Sequence, residues 1–245
     1  MIKRHSKGIE SICQLDDGTI VSCSELTIMI GDYTIKNAHD NSIYKVITLP
    51  NNRIASCSYY DKTIKIWKSN PPYSDIHIKV LEGHSSTVIS LLYIKERGIM
   101  ISGADDVTLR IWNMSTYQCD EVIEGVDRCF TNSLYQIDKD RVIVGGVNSF
   151  SNSFSIVNID KCIIEKRIKD ESLENVNCFL KLRDNKTILC GCYNGIFCFY
   201  DMNTKQYKIT KNNHKRDHYI SDLLLIDDNT FLSCSRDRTI KVWKY

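Results

Sequence analysis

Three sets of side chains recur in one order along this chain of 245 residues. The first is His39, Ser56, Asp61 and Trp67, the second His84, Ser102, Asp106 and Trp112, and the third His214, Ser233, Asp237 and Trp243. Serine, histidine and aspartate are the residue types of acyl-transfer triads, in which an imidazole takes the serine proton and a carboxylate orients the imidazole. The same groups can also form a closed hydrogen-bond chain. An indole N–H only donates, hydroxyl and imidazole both donate and accept, and a carboxylate only accepts. Tryptophan to serine to histidine to aspartate therefore satisfies every member. Such a network stiffens a core, and breaking it strands buried polar groups. Recurrence decides between the two. A single enzyme site has no reason to return every 43 to 45 residues, so these are expected to be structural sets, and no catalytic residue is assigned.

The elements that must hold these groups are strands. Thr63 to Trp67 alternates Ile64 and Ile66 with Lys65, and Thr239 to Trp243 alternates Ile240 and Val242 with Lys241. A period of two with β-branched and aromatic residues marks a strand. Six polar turns lie between apolar runs: Asp16-Asp17-Gly18, Asn51-Asn52-Arg53, Glu96-Arg97-Gly98, Lys139-Asp140-Arg141, Asp184-Asn185-Lys186 and Asp227-Asp228-Asn229. Their centres are 35, 45, 43, 45 and 43 residues apart, the period of a four-stranded propeller blade. No helical stripe of useful length is visible, and Pro71 and Pro72 mark the loop Asn70 to Asp75 as an insertion.

At Gly83-His84, at Ser56-Cys57-Ser58 and at the strands ending in Trp67, Trp112 and Trp243, the chain resembles the WD-repeat β-propeller family. The resemblance implies an all-β propeller of six four-stranded blades, one domain over 1–245, with repeats near 5–38, 39–79, 80–121, 122–167, 168–212 and 213–245. It also implies that the three polar sets are structural tetrads. The family's Trp-Asp pair is never intact: Trp67-Lys68, Trp112-Asn113 and Trp243-Lys244 replace it, and only Tyr200-Asp201 keeps the aspartate. Unit one has His5 and Ser22 but Gly31 in the tryptophan slot. Unit four has Val126 near the histidine slot and Val157 in the tryptophan slot, and unit five has Asn194 and Tyr200. Units one and four are expected to be the soft part of the fold. In the family the N-terminus usually supplies the outer strand of the last blade. Here only Met1 to Arg4 precede His5, so the closing strand is expected to be short. A closed six is favoured. The alternative, an open last blade, implies self-association.

Lys plus Arg number 32 and Asp plus Glu 30, for a net charge of +2, and no long single-sign block occurs. Nucleic acid and anionic membrane are therefore not expected as main partners. No apolar run follows the N-terminus and no segment approaches a membrane span, so neither a secretory signal nor a membrane anchor is expected. Cytoplasm, with the nucleus as alternative, is the expected location. The 11 cysteines read as reduced thiols. Cys190, Cys192 and Cys198 could supply metal ligands but read as small buried hydrophobes, so no metal or cofactor is assigned. Cys23, Cys57 and Cys234 share one strand slot, with Gly103 in unit three, which signals a packing requirement. The basic stretch Lys205 to Lys215 reads as a solvated face.

Family members bind partners mainly across the top face. Two positions of each repeat point there: the residue before the turn aspartate, and those just after the histidine. The resemblance thus assigns partner binding to Tyr44, Tyr60, Ile89, Asp105, Phe130, Tyr193, Tyr219 and Arg236. Tyrosine and arginine are residue types that carry interface energy. The function expected is a non-catalytic scaffold that binds proteins or peptides. The alternatives are a reader of a modified peptide, with Tyr44, Tyr60 and Tyr219 as an aromatic cage for methylated lysine, and a propeller enzyme using its central channel.

Overall fold

The computed structural model describes residues 5, 7–72, 76–126, 128–147, 153–170, 173, 175–210, 214–215 and 218–245; the side chains of 128–132, 147 and 153 lie outside that description. The chain is all-β, with no helix among the described residues, and has the fold class of a six-bladed β-propeller. Its contacts divide it into two compact units, 1–125 and 126–245, with three blades in each.

In the first unit, blade one is β1 Ser11–Gln14, β2 Ile20–Ser24, β3 Thr27–Ile30 and β4 Tyr33–Ile35. Blade two is β5 Ile43–Leu49, β6 Arg53–Ser58, β7 Ile64–Lys68 and β8 His77–Leu81. Blade three is β9 Val88–Ile94, β10 Ile99–Ala104, β11 Thr108–Asn113 and β12 Gln118–Glu124. Each is an antiparallel meander in chain order. In the second unit, blade four is β13 Arg128–Gln136, β14 Arg141–Val147, β15 Ser153–Asn158 and β16 Ile163–Lys169. Blade five is β17 Val176–Lys181, β18 Thr187–Cys192, β19 Phe197–Asp201 and β20 Tyr207–Ile209. These two join through a single parallel pairing, Asn132 with Cys178. Blade six is β21 Ile220–Asp227, β22 Thr230–Ser235 and β23 Ile240–Lys244, three strands among the described residues. The closing strand expected at Met1–Arg4 lies outside the described residues.

The turns between first and second strands follow from residues that tolerate positive φ. Gly18 (86°), Asn51 (59°), Asn52 (52°), Gly98 (63°) and Asn185 (57°) are left-handed, the conformation that glycine and asparagine adopt most readily. The third-to-fourth turns solve another problem. Asn113 Oδ1 accepts from the amides of Ser115 (3.0 Å) and Thr116 (3.2 Å), Asn158 Oδ1 from Asp160 (3.1 Å) and Lys161 (2.9 Å), and Asp201 Oδ1 from Asn203 (2.8 Å) and Thr204 (2.9 Å). The slot after tryptophan thus caps a turn through a side-chain oxygen, which asparagine supplies as well as aspartate.

The core lies between neighbouring blades. Val21, Cys23, Ile28, Ile43, Ile54 and Trp67 form one cluster of blades one and two, and Ala55, Cys57, Ile66, Leu91, Met100 and Trp112 another of blades two and three. In the second unit Ile143, Phe154, Phe179, Cys190 and Tyr200 join blades four and five, and Cys178, Phe197, Ile220 and Phe231, with Trp243 against them, join five and six. Each tetrad tryptophan therefore packs its ring on the preceding blade.

Strand register completes the shared small-residue slot. Cys23 pairs with Ile28, Cys57 with Ile64, Gly103 with Leu109, Gly145 with Phe154, Gly191 with Phe197 and Cys234 with Ile240. Gly145 and Gly191 were not part of the sequence pattern, and they show its cause. A Cβ on Gly145 would fall 2.5 Å from the Val176 carbonyl, and one on Gly191 2.8 Å from Ile220. Cys23 Sγ lies 3.9 Å from the Ile43 carbonyl. In these three blades the start of the next blade's first strand sits directly against the slot, so only a small side chain fits.

Candidate functional site

The three polar sets close as hydrogen-bond chains. In blade two, Trp67 Nε1 donates to Ser56 Oγ (2.8 Å), Ser56 Oγ meets His39 Nε2 (2.7 Å), and His39 Nδ1 meets Asp61 Oδ2 (2.5 Å). Blade three repeats this with 2.8 Å from Trp112 to Ser102, 2.7 Å from Ser102 to His84 and 2.8 Å from His84 to Asp106. Blade six gives 2.7, 2.6 and 2.9 Å for Trp243–Ser233, Ser233–His214 and His214–Asp237. The other carboxylate oxygen accepts from a threonine two residues on: Thr63 (3.2 Å), Thr108 (2.7 Å) and Thr239 (2.5 Å).

Burial pushes the carboxyls of Asp61, Asp106 and Asp237 up, but the bonds from histidine and threonine outweigh it and hold all three below the usual carboxylate range. Ser56 and Ser102 have no exposure and Ser233 almost none, and each oxygen already meets an indole N–H and an imidazole. A serine nucleophile needs an open path to a substrate carbonyl, which these buried oxygens do not offer.

The incomplete blades show what each departure costs. In blade one His5 Nε2 reaches Ser22 Oγ at 2.8 Å, but Nδ1 meets Thr27 Oγ1 at 3.3 Å instead of a carboxylate. Its second-to-third hairpin is two residues shorter than that of blade two, since Cys23 pairs with Ile28 where Cys57 pairs with Ile64. Glu25, in the aspartate slot, pairs with Lys7 at 3.6 Å instead. Blade four fills its slots with Val126 and Val157, both buried, and blade five buries Tyr200 edge-on to Phe154, ring centroids 5.5 Å apart. Apolar packing takes over where the polar chain is lost.

The cysteines behave as packing residues. Cys23, Cys57, Cys190, Cys192 and Cys198 have no exposure, no disulfide joins any described cysteine, and no cluster of three or more potential metal ligands exists among the described residues. Burial pushes the Cys23 thiol up to about 12 and those of Cys178 and Cys190 well above the usual range, far from a reactive thiolate.

At the histidine–aspartate end a hydrogen bond ties the second-to-third hairpin to the residues after the histidine, from the marked position in blades three, five and six and from Tyr59, one residue before the marked Tyr60, in blade two. The amide of Tyr59 donates to the Ser42 carbonyl (2.8 Å), Asp105 to Thr87 (2.9 Å), Tyr193 to Asn175 (2.9 Å) and Arg236 to Tyr219 (3.1 Å). In the first unit Tyr44 meets Tyr59 edge-on with centroids 5.5 Å apart, and Tyr59 meets Tyr60 at 3.7 Å, its hydroxyl donating to that of Tyr60 (2.7 Å). Burial first, then the charges of Glu10 and Asp105, push the Tyr44 hydroxyl up. The bond to Tyr60 and burial push Tyr59 up to about 12. Ile89, in the first strand of blade three, is half-buried. In the second unit Tyr219 stacks on Tyr193 with centroids 5.1 Å apart, and the Arg236 guanidinium sits 5.3 Å over the Tyr219 ring.

Tyr219, expected to share a cage with Tyr44 and Tyr60, thus finds its aromatic partner in Tyr193 within its own unit. The third ring beside Tyr44 and Tyr60 is Tyr59, which the repeat alignment passed over because it precedes the marked position; the Tyr59-Tyr60 doublet was the available signal. The side chain of Phe130 lies outside the described residues, as do Lys211 and Arg216 of the basic stretch. Lys215 is exposed, and its amide donates to Asp237 (3.1 Å).

Comparison with known proteins agrees with this architecture. Residues 31–68, 76–113 and 206–244, just under half of the chain, match the family "WD domain, G-beta repeat". Nuclear distribution protein nudF of Aspergillus niger is 32% identical over 94 residues, 38% of this chain and 20% of that protein. WD repeat-containing protein 37 of Homo sapiens is 26% identical over 110 residues, 42% of this chain and 22% of that protein. Mitochondrial division protein 1 of Vanderwaltozyma polyspora is 23% identical over 148 residues, 59% of this chain and 20% of that protein. The chain spans about a fifth of the length of each of these relatives. With its repeating tetrads, its six blades and these matches, the chain carries WD repeats and resembles the WD-repeat β-propeller family.

Proposed function

We propose that this chain is a non-catalytic interaction platform, which docks a partner protein or peptide on the loops at the histidine–aspartate end of its blades. The observation that carries the reading is the contrast between the two layers of each complete blade. Beneath lies a buried polar chain that ties two loops to the strands. Above it, on those loops, stand Tyr60 at 64% exposure and an exposed Arg236, and blade five, without the polar chain, presents Tyr193 at 39% at the same position. Aromatic and arginine side chains on a rigid base lose little entropy on binding and supply most interface energy. The tetrads act as struts, since their serine oxygens are already engaged.

The test is affinity purification of the tagged chain beside the variant Tyr44→Ala, Tyr60→Ala, Arg236→Ala. Partners recovered with the parent should be lost from the variant while its urea midpoint stays unchanged. Retention of the same partners by a folded variant refutes the proposal.

A further inference from the structure

The loop after the tetrad histidine is longer in blade six than in its counterparts. The rim bond from the second-to-third hairpin lands three residues after the histidine in blades two and three, at Ser42 and Thr87, and five after it in blade six, at Tyr219. The insertion puts a ring where blades two and three have a hydroxyl. The donors of that bond are Tyr59, Asp105, Tyr193 and Arg236, so blade six is also the one of these four blades with a cation at the donor position. Ring and cation meet. The Arg236 guanidinium lies 5.3 Å over the Tyr219 centroid, and Tyr219 stacks on Tyr193 of blade five, with centroids 5.1 Å apart and 25° between the planes. The loop beneath is pinned: the His214 amide donates to the Gly195 carbonyl (2.9 Å), the Lys215 amide to Asp237 Oδ2 (3.1 Å) and Ser235 Oγ to the His218 carbonyl (3.3 Å).

A stacked guanidinium spends its face on the ring and keeps its in-plane N–H donors for an acceptor, in the fork that matches a carboxylate or a phosphate. Two more cations stand beside it. Arg236 and Arg238 flank Asp237, the Lys215 backbone is bonded to that same carboxylate, and all three side chains are exposed. Asp237 is engaged elsewhere. It is 8% exposed, and its oxygens are held by His214, by the Lys215 amide and by Thr239. Among the described residues no carboxylate pairs with Lys215, Arg236 or Arg238. The tetrad itself does not require these charges: the corresponding neighbours in blade three are Ser85, Asp105 and Val107.

We propose that Arg236, held on Tyr219 and flanked by Lys215 and Arg238, is a docking site in the second unit for an oxyanion of a partner peptide, a carboxylate or a phosphate group. This rests on the platform reading and names the chemistry its blade-six portion selects. A peptide is favoured over nucleic acid because the net charge is only +2 and the other rim residues assigned to partner binding carry no cation. A rigid, already stacked arginine loses little freedom on binding and offers two parallel charge-assisted hydrogen bonds.

The probes are four short, otherwise neutral glycine–serine peptides. They carry a pair of glutamates, one phosphoserine, a pair of glutamines or a pair of lysines. Each is titrated into the full chain and followed by ligand-observed NMR. At least one acidic peptide should bind, and the glutamate and phosphoserine arms tell which oxyanion the site takes. The glutamine and lysine peptides should not bind. Raising the salt from about 0.05 to 0.3 M should weaken binding by about threefold or more. Arg236→Gln should weaken it by about tenfold with an unchanged urea midpoint, and Arg236→Lys, which keeps the charge and loses the planar fork, by about threefold. Tyr219→Leu, which removes the ring under the guanidinium, should also weaken it by about threefold.

Absence of binding by both acidic peptides, equal binding of the glutamine peptide, or undiminished binding by folded Arg236→Gln overturns the proposal. Tighter binding of a short single-stranded RNA than of either acidic peptide at the same salt overturns it as well. If the triple variant loses its partners while the acidic peptides fail to bind the parent, the oxyanion site is refuted and the platform stands. If the triple variant keeps its partners, the platform falls whatever the peptides do.

Discussion

Replacing Ser102 by alanine removes a single oxygen with two obligations. That oxygen accepts the Trp112 indole N–H at 2.8 Å and meets His84 Nε2 at 2.7 Å, at a residue with no solvent exposure. Alanine leaves both nitrogens in a closed pocket with nothing to bond. A buried polar group without a partner costs about 1–3 kcal/mol, so two cost about 2–6 kcal/mol, and slight relaxation around the methyl brings the expected loss to about 3 kcal/mol. The typical substitution costs about 1 kcal/mol, so the effect stands clear of background. Urea unfolding of the full chain, followed by far-ultraviolet circular dichroism, measures it. The cycle with Trp112→Phe sharpens the test. That background already lacks the indole N–H, so Ser102→Ala should cost at least about 1 kcal/mol less there. A loss below about 1 kcal/mol for Ser102→Ala, or strict additivity in the cycle, would refute the view that this serine is a strut between two buried donors and acceptors.

Three further outcomes follow from the same geometry. Val107, 42% exposed, holds φ at 57° just after the tetrad aspartate, as Lys62 (61°) and Arg238 (68°) do in their blades. A left-handed β-branched residue costs about 1–2 kcal/mol, so Val107→Gly should raise the urea midpoint, by about 0.5–1 kcal/mol after the added chain entropy. Gly145→Ala should destabilise the second unit by about 2 kcal/mol or more, since its methyl would lie 2.5 Å from the Val176 carbonyl; calorimetry of the chain measures the shift. The lowered carboxyls of Asp61, Asp106 and Asp237 add stability that is fully present above the unfolded aspartate value of about 3.9 and is lost as pH falls through their folded values. Stability should therefore decline below about pH 4, and a variant with all three changed to asparagine should show a lower plateau and a flatter acid limb in acid titrations.

The tetrads were legible because polar residues with complementary donor and acceptor capacity stand at fixed spacing among apolar strands, and burial makes each of them obligatory. Blade count followed from the turns, since asparagine and glycine mark left-handed positions in the sequence itself. Other features depended on neighbours that spacing cannot reveal. Gly145 and Gly191 belong to the cysteine slot only once strand register aligns them, because their constraint comes from the next blade's backbone. The loss of the carboxylate in blade one needed the hairpin length, which shifts Glu25 toward Lys7. Asn113 looked like a departure from a motif until its side-chain oxygen was seen capping a turn, as that of Asn158 does in blade four. The grouping of the rim tyrosines was not legible: Tyr59 stands beside Tyr44, and Tyr219 beside Tyr193, because ring partners are chosen by loop conformation.

The tryptophan in each complete tetrad also makes the chain its own optical instrument. All three of its tryptophans are tetrad members, Trp67 and Trp112 in the first unit and Trp243 in the second. Each indole donates to a serine beside a histidine ring, with centroids 6.3, 6.5 and 6.1 Å away. Tryptophan emission therefore reports on blades two, three and six and on their seams with blades one, two and five, and blade four carries no tryptophan. Variants that keep only Trp112 or only Trp243 would let the two units be watched separately as they open, without an added label.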